Sequence, residues 1–149
     1  MVWGCMSWRG LGHLAIINGI MESDKYIQVI QIHLMPQAAE WYPSGDWIFQ
    51  QDGAHCHTSK KTLQFFDDCE IPLFPWTANS PDLNPMENIW SLLKQRVYRL
   101  GASSKDELIR NIKEVAGDTE YWERVCQDLY SSLENRIERV VRNRGGHCF

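Results

Sequence analysis

The chain has 149 residues, a length that suits one domain and allows a buried hydrophobic core. Hydrophobic residues make up 44% of it and seven residues are tryptophan, which excludes an intrinsically disordered protein. The net charge of −4 argues against strong non-specific DNA binding, which needs a basic surface. No apolar run approaches the about 18 residues of a membrane helix, so we expect no membrane partner.

The five cysteines are odd in number, widely spaced and form no CxxC pair. This pattern indicates reduced thiols in an intracellular protein. The N-terminal residues lack the charged segment and cleavage pattern of a signal peptide. The cysteines are Cys5, Cys56, Cys69, Cys126 and Cys148.

Hydrophobic periodicity predicts the element order β-β-α-β-α-β-α-α-α. Alternating apolar residues indicate strands, and apolar residues recurring every three or four positions indicate helices. The predicted elements are strands Val2–Trp8 and His13–Ile20, a helix from Asp24 to about Leu34, a strand from Asp46 or Trp47 to Asp52, a helix from Thr58 to about Cys69, a strand Ile71–Trp76, a loop Thr77–Leu83, and helices Asn84–Leu100, Ser104 to about Ala116 and about Glu120 to Arg142.

Several residues are expected to begin or end these elements. Ser23 is predicted to cap the first helix, and Pro36 to end or restart it. Gly101 is predicted to stop the helix before it, and Ser104 with Glu107 to form a capping box for the next one. Pro72 and Pro75 place their strand at a sheet edge. We find no linker, so residues 1–149 are predicted to form a single domain whose part from about residue 104 is helical.

Asp52 closes the apolar run 47–52 and is followed by Gly53. A carboxylate in this position is typical of a turn. The carboxyl end of a strand is also where open α/β sheets bind ligands. Both interpretations remain open from the residues alone.

Glu87 lies at the start of the predicted helix that Asn84 caps and in which Pro85 takes the first position. An acidic residue there completes a capping box and favours the helix dipole. A helical wheel also places Glu87 at the edge of the apolar stripe, beside Ser91 and Lys94, where a side chain can enter a cleft. Together, Asp52 and Glu87 offer two carboxylates on rigid elements, which suits Mg²⁺ or Mn²⁺ and phosphoryl chemistry.

The segment His55-Cys56-His57 suggests zinc at first sight. Adjacent and alternate side chains diverge, however, and the chain has no second ligand pair at zinc spacing. We therefore expect His57 to cap the following helix or to face a substrate, and Cys56 to be packed rather than reactive.

Four motifs occur in order along most of the chain and are densest between residues 47 and 97. The motifs are Val2-Trp3-Gly4-Cys5 with Gly10-Leu11-Gly12, Phe49-Gln50-Gln51-Asp52-Gly53-Ala54, His57-Thr58-Ser59-Lys60, and Trp76 followed by Ser80-Pro81-Asp82-Leu83-Asn84-Pro85-Met86-Glu87-Asn88-Ile89-Trp90. Together they resemble the catalytic domain of Tc/mariner-type DDE transposases.

This resemblance implies the ribonuclease-H-like α/β fold, a mixed sheet flanked by helices. Asp52 would match the family's second catalytic carboxylate and Glu87 its third, both as ligands of Mg²⁺ or Mn²⁺. Members cut DNA at transposon ends and join the 3′-hydroxyl to a target, which implies DNA as partner and a nuclear location. The candidate DNA contacts are His57, Lys60 and Lys94.

The chain departs from the family pattern in two main ways. The family's first catalytic aspartate lies on a strand upstream of the Trp3-Gly4-Cys5 segment, where this chain begins. The family's paired helix-turn-helix units are also absent, and His55 stands where many relatives carry Pro or Arg. We therefore expect an N-terminally truncated catalytic domain that lacks its first, central strand. Asp24, Asp46 and Asp82 are the conceivable substitutes for the missing carboxylate, although Asp82 suits a turn better.

Two functions follow from these observations. The first is metal-dependent phosphoryl transfer on DNA by a transposase-derived domain, inactive and weakly metal-binding as an isolated chain and able to pair with a full-length transposase. The second is a non-catalytic remnant or domesticated module that binds nucleic acid or associates with itself, because unpaired strand edges invite association.

Overall fold

A computed structural model describes residues 1–75, 84–133, 137–138 and 142. The chain divides into two compact units. The first comprises Met1–Gly4 and Gly12–Asn79, and the second comprises Cys5–Leu11 and Ser80–Phe149. The expectation that residues 1–149 form one domain stays a prediction.

The N-terminal residues form the predicted hairpin from strands β1 (Val2–Ser7) and β2 (Gly10–Ile16). Two residues connect the strands, fewer than predicted, and Gly10 has φ 128°, a conformation that glycine adopts more readily than other residues. Met1 and Ile17 exchange backbone hydrogen bonds of 3.1 and 2.8 Å at the open end. The hairpin prediction is confirmed, with strands that end earlier.

A helical segment follows the hairpin and runs past Pro36. Helix α1 (Ser23–Val29) continues through a π-helical turn (Ile30–Leu34) into helix α2 (Met35–Trp41). The N–H of Met35 bonds to the carbonyl of Ile30 in the wider π pattern. Since proline lacks an N–H and its ring crowds the preceding turn, a widened turn allows the helix to continue. Because α2 begins at Met35 with Pro36 as its second residue, the prediction that Pro36 restarts the helix is confirmed, whereas the helical segment does not end there.

Helices α3 (His55–Thr58) and α4 (Lys60–Asp68) replace the single helix predicted from Thr58 to Cys69. They are separated at Ser59, which has extended backbone angles and whose hydroxyl accepts a hydrogen bond from the N–H of Thr62. Ser59 is thus the N-cap of α4, and the expectation that His57 caps this helix is wrong.

The predicted strands 46–52 and Ile71–Trp76 meet in a single isolated parallel bridge between Phe49 and Leu73. Its two hydrogen bonds join the N–H of Phe49 to the carbonyl of Pro72 and the N–H of Phe74 to the carbonyl of Phe49, both 2.8 Å long. Pro72 has no N–H to extend the ladder. Within the described residues neither run becomes a regular strand, which corrects both strand predictions.

The second unit contains helices α5 (Pro85–Leu100), α6 (Lys105–Ala116) and α7 (Thr119–Ser131). Gly101 ends α5 with φ 69°, as predicted. Ser104 caps α6 by accepting a 3.1 Å hydrogen bond from the N–H of Glu107, while the Glu107 carboxylate accepts one from the N–H of Ser103. The predicted cap at Ser104 is confirmed.

Each unit has its own buried apolar residues. In the first unit they come mainly from the hairpin, the π-helical turn and helices α1, α2 and α4, and in the second mainly from α5 to α7. Those of the first unit include Trp3, Ala15, Ile17, Tyr26, Val29, Ile30, Leu34, Ala38, Phe66 and Ile71. Those of the second unit include Cys5, Ile89, Leu93, Val97, Ile112, Val115, Trp122 and Cys126.

Some predictions fall on residues outside the described ranges. They are the loop Thr77–Leu83 with Asp82, and most of the predicted continuation of the last helix from Ser131 to Arg142. The apolar side chains of Leu63 in α4 and Leu100 at the end of α5 are 44% and 51% exposed. No helix in the described part of the chain is long and apolar enough to cross a membrane.

Candidate functional site

The carboxylate of Asp52 lies in a loop that it helps to shape. Its Oδ1 atom accepts a 3.0 Å hydrogen bond from the N–H of Ala54, two residues ahead. The same oxygen lies 2.6 Å from Nδ1 of His57. The Asp52 side chain is nevertheless 54% exposed. Asp52 is therefore a turn residue, as one interpretation predicted, and it also presents carboxylate to solvent.

His57 is the residue that contacts Asp52 most closely among those described. It lies in α3, and its side chain is only 18% exposed. Its ring packs against the ring of Tyr26, with centroids 4.2 Å apart and planes 33° apart. The structure thus brings together two predicted site residues, His57 and Asp52, and packs the imidazole ring against Tyr26.

Tyr26 and Gln51 form hydrogen bonds that help to hold His57 in place. The Tyr26 hydroxyl donates a 2.7 Å hydrogen bond to Oε1 of Gln51, and Nε2 of Gln51 donates a 3.0 Å bond to the carbonyl of His57. Burial, and then the nearby Cys56 and Asp52, raise the pKa of Tyr26 far above its usual range. The hydroxyl therefore stays protonated and available as a donor. The sequence did not single out Tyr26 as a residue of this site, although Gln51, a polar residue in the apolar run 47–52, was an available signal.

A second series of hydrogen bonds joins helices α1, α3 and α4. The hydroxyl of Ser23 donates to that of Ser59 at 2.8 Å, Ser59 to that of Thr62 at 2.9 Å, and Thr62 to the carbonyl of Cys56 at 2.7 Å. Ser23 makes no side-chain cap, because its hydroxyl is used in this contact between helices. The predicted cap at Ser23 is wrong.

Cys56 behaves as a packed thiol in this environment. It is half-buried, and burial raises its pKa, with the neighbouring Asp52 carboxylate acting in the same direction. A raised pKa keeps the thiol protonated and weakens it as a nucleophile or metal ligand. This agrees with the expectation that Cys56 is packed rather than reactive.

Glu87 lies in the first turn of α5 and is exposed. Asn84 caps this helix by accepting a 3.1 Å hydrogen bond from the N–H of Met86. Among the described residues, no hydrogen bond or ion pair engages the Glu87 carboxylate, so the reciprocal half of the capping box does not form. The flank that Glu87 shares with Ser91 and Lys94 is solvent-exposed, and the predicted entry of the Glu87 side chain into a cleft stays a prediction.

The two candidate DNA-contacting lysines are both exposed. Lys60 is the first residue of α4, and Lys94 lies in the middle of α5. The neighbouring Lys61 forms an ion pair with Asp24. Lys60 has no such partner among the described residues, which leaves its ammonium available for a phosphate.

Asp52 belongs to the first unit and Glu87 to the second. In the described ranges, no group of three or more His, Cys, Asp or Glu side chains is arranged to hold a metal ion. Asp24, considered as a substitute carboxylate, is paired with Lys61. The shared metal site of Asp52 and Glu87 stays a prediction.

Comparison with known proteins identifies the family. Residues 2–109 match the model for the DDE superfamily endonucleases, and this range includes Asp52, His57 and Glu87. The Tc3 transposase of Caenorhabditis elegans is 31% identical over 97% of this chain and 44% of its own length. The Tc1 transposase of the same organism is 30% identical over 97% of this chain and 52% of its own length. The chain thus spans about half the length of these relatives.

Solved transposase structures have a fold similar to that of this chain. The catalytic domain of the Mos1 mariner transposase superposes with a TM-score of 0.82 at 18% identity, over 99% of this chain and 75% of that one. Other Mos1 structures with similar scores contain Mg or Mn, or are paired-end complexes with a transposon end. The chain therefore belongs to the DDE superfamily endonucleases, as a Tc/mariner transposase catalytic domain with the ribonuclease-H-like α/β fold.

Proposed function

We propose that this chain contributes Asp52 and Glu87 to a metal-dependent phosphoryl-transfer site that acts on DNA. Family membership supports this assignment, since the matched region contains both carboxylates. The relatives from Caenorhabditis elegans are transposases, and this chain spans about half of each. We retain the expectation that the isolated chain is inactive and able to pair with a full-length transposase.

One observation carries the proposal: both carboxylates are exposed and neither is neutralised by a lysine or arginine in the described ranges. Asp24 and Asp118 are instead paired with Lys61 and Arg96. A carboxylate that is not paired with a lysine or arginine stays accessible to a cation. Asp52 and Glu87 are therefore both accessible to a metal ion.

The two carboxylates, as metal ligands, suit a hard divalent ion. Carboxylate oxygens are the ligands that Mg²⁺ and Mn²⁺ prefer, and two protein carboxylates leave positions for water and phosphate oxygens. A bound ion of this kind would activate a water or 3′-hydroxyl and stabilise the leaving oxygen. The solved Mos1 catalytic domains with Mg and Mn support this choice of metal. Asp52 supplies an oxygen from a loop fixed by Ala54 and His57, and Glu87 supplies one from the first turn of α5.

Metal binding tests the site directly. We would titrate the chain with Mn²⁺ and follow the free ion by electron paramagnetic resonance. Asp52→Asn and Glu87→Gln should each weaken binding by about 100-fold or more, because removing a group that only supports a ligand already costs about 10- to 100-fold. The control Asp67→Asn, at an exposed residue of α4 that is no candidate ligand, should bind like the wild type. Wild-type affinity in both site variants would overturn the proposed site.

Cleavage tests the reaction. We expect Mg²⁺- or Mn²⁺-dependent nicking of plasmid DNA when the chain is mixed with a full-length transposase, and loss of the added activity with Asp52→Asn. DNA retained in a salt-dependent manner, without any cleavage, would instead assign the chain to the non-catalytic, nucleic-acid-binding alternative. Absence of both DNA binding and self-association would exclude that alternative as well.

DNA is the proposed partner, with Lys60, Lys94 and His57 as the residues that touch it. Removing one lysine that neutralises a phosphate should reduce the slope of log affinity against log salt by about 0.9. Lys60→Gln should show this reduction, whereas Lys61→Gln, which removes a lysine already paired with Asp24, should show less. Because transposition acts on chromosomal DNA, we also propose a nuclear location, which a fluorescent fusion of the chain would test.

A further inference from the structure

The contact between His57 and Asp52 has a defined direction. A carboxylate oxygen accepts hydrogen bonds, so Nδ1 of His57 is the donor across the 2.6 Å distance. The N–H of Ala54 donates to the same Oδ1 atom at 3.0 Å. Within the described residues, no hydrogen bond engages Oδ2. Two donors therefore fix the position of Oδ1, and this in turn sets the direction in which Oδ2 points.

The imidazole is itself held in place. Tyr26 is 1% exposed and stacks on the ring, while its hydroxyl reaches Gln51. Gln51 in turn donates to the carbonyl of His57. The buried Tyr26 of helix α1 is thus connected to the exposed Asp52 carboxylate through its stack on His57 and through hydrogen bonds.

We propose that His57 is a positioning residue that orients the Asp52 carboxylate, and that Tyr26 and Gln51 hold His57 in the orientation this requires. The proposal rests on the proposed function for the identity of the ligand that Asp52 binds. It assigns His57 a role within the protein, through Nδ1, that is separate from its candidate contact with DNA. Partners of this kind typically change metal affinity by about 10- to 100-fold.

Two substitutions distinguish the role of the hydrogen-bond donor of His57 from the role of its aromatic ring. His57→Phe keeps the stacking partner of Tyr26 and removes the donor, whereas His57→Asn removes the ring and keeps an N–H near the position of Nδ1. We expect His57→Phe to weaken Mn²⁺ binding by about tenfold and His57→Asn to remain closer to wild type. A role in packing alone predicts the opposite order, and that result would overturn the proposal. The exposed neighbour His55 provides the matched control, His55→Phe, which should bind Mn²⁺ like the wild type.

A second measurement needs no metal. Three-bond couplings from Cγ of Asp52 to its backbone N and carbonyl carbon report the side-chain rotamer in solution. We expect a single rotamer in the wild type and in His57→Asn, and averaged couplings in His57→Phe, with circular dichroism confirming that each variant is folded. Unchanged couplings in His57→Phe would overturn the positioning role. If the wild type binds no Mn²⁺, the proposed function fails, and the couplings still decide whether His57 orients Asp52.

Discussion

The side-chain amide of Asn111 donates a 2.6 Å hydrogen bond to the carbonyl oxygen of Gly101. Asn111 is 8% exposed in the middle of α6, and Gly101 ends α5. The buried amide thus satisfies a backbone acceptor just beyond a helix end, where no further helical N–H is present. This hydrogen bond joins α6 to the C-terminal end of α5, the helix whose first turn carries Glu87.

We expect Asn111→Ala to lower the free energy of unfolding by about 1–3 kcal/mol, because the carbonyl of Gly101 loses its donor in a partly buried site. Urea unfolding followed by circular dichroism measures the change. Glu114→Ala, an exposed position on the same helix, should stay within about 0.5 kcal/mol of the wild type. Equal effects of the two substitutions would contradict the role of the Asn111 amide.

Tyr26→Phe tests the hydroxyl that anchors the Asp52 loop. The substitution keeps the stack on His57 but leaves Oε1 of Gln51 without the 2.7 Å bond from Tyr26. We expect a loss of about 1–3 kcal/mol in the free energy of unfolding. Tyr98→Phe, at a residue that is 87% exposed, should change it by less than about 0.5 kcal/mol. A Tyr26→Phe variant as stable as the wild type would show that this hydrogen bond adds nothing.

The ion pair of Arg96 and Asp118 predicts a pH dependence of stability. The two side chains meet at 2.8 Å, and the hydrogen bond from Arg96 lowers the pKa of Asp118 below 3.8. The unfolded chain therefore binds the proton more readily than the folded one. This contribution is present above about pH 4 and disappears as the pH falls through the lowered pKa of the folded state.

Urea midpoints measured at pH 7 and at a pH below the lowered pKa of Asp118 test this contribution. Asp118→Asn keeps a side-chain oxygen that can cap α7 through the N–H of Tyr121, while removing the charge. The variant should differ from the wild type at pH 7 and approach it in acid. Arg96→Gln should show the same convergence, and a difference that persists in acid would argue against the ion pair as its source.

The cysteines should differ sharply in reactivity. Cys126 is fully buried, and burial raises its pKa to about 12, whereas Cys69 is exposed. Since the thiolate is the reactive form, iodoacetamide should label Cys69 in the native chain and Cys126 only after denaturation. Peptide mass spectrometry measures the order of labelling. Labelling of both residues at similar rates in the native chain would mean that the core around helix α7 opens readily.

Features set by neighbouring residues were predictable from the sequence. Asn84 and Ser104 cap their helices and Gly101 ends one, because each of these interactions spans a single helical turn. The β-hairpin was predictable for the same reason, since its strands are adjacent in the chain. The family motifs also located Asp52 and Glu87 and indicated a fold that superposition on the Mos1 catalytic domain confirms.

Features set by distant residues were not predictable. Ser23 contacts Ser59 instead of capping its own helix, and Tyr26 stacks on His57, because folding brings α1 beside α3 and α4. No local pattern encodes such pairings, since they depend on which faces pack together. The run ending at Asp52 likewise reads as a strand but forms one bridge, because a ladder requires hydrogen-bond donors on a second segment and Pro72 supplies none. Local hydrogen bonding explains the helix ends, whereas the surroundings of the Asp52 carboxylate arise from contacts between separate parts of the chain.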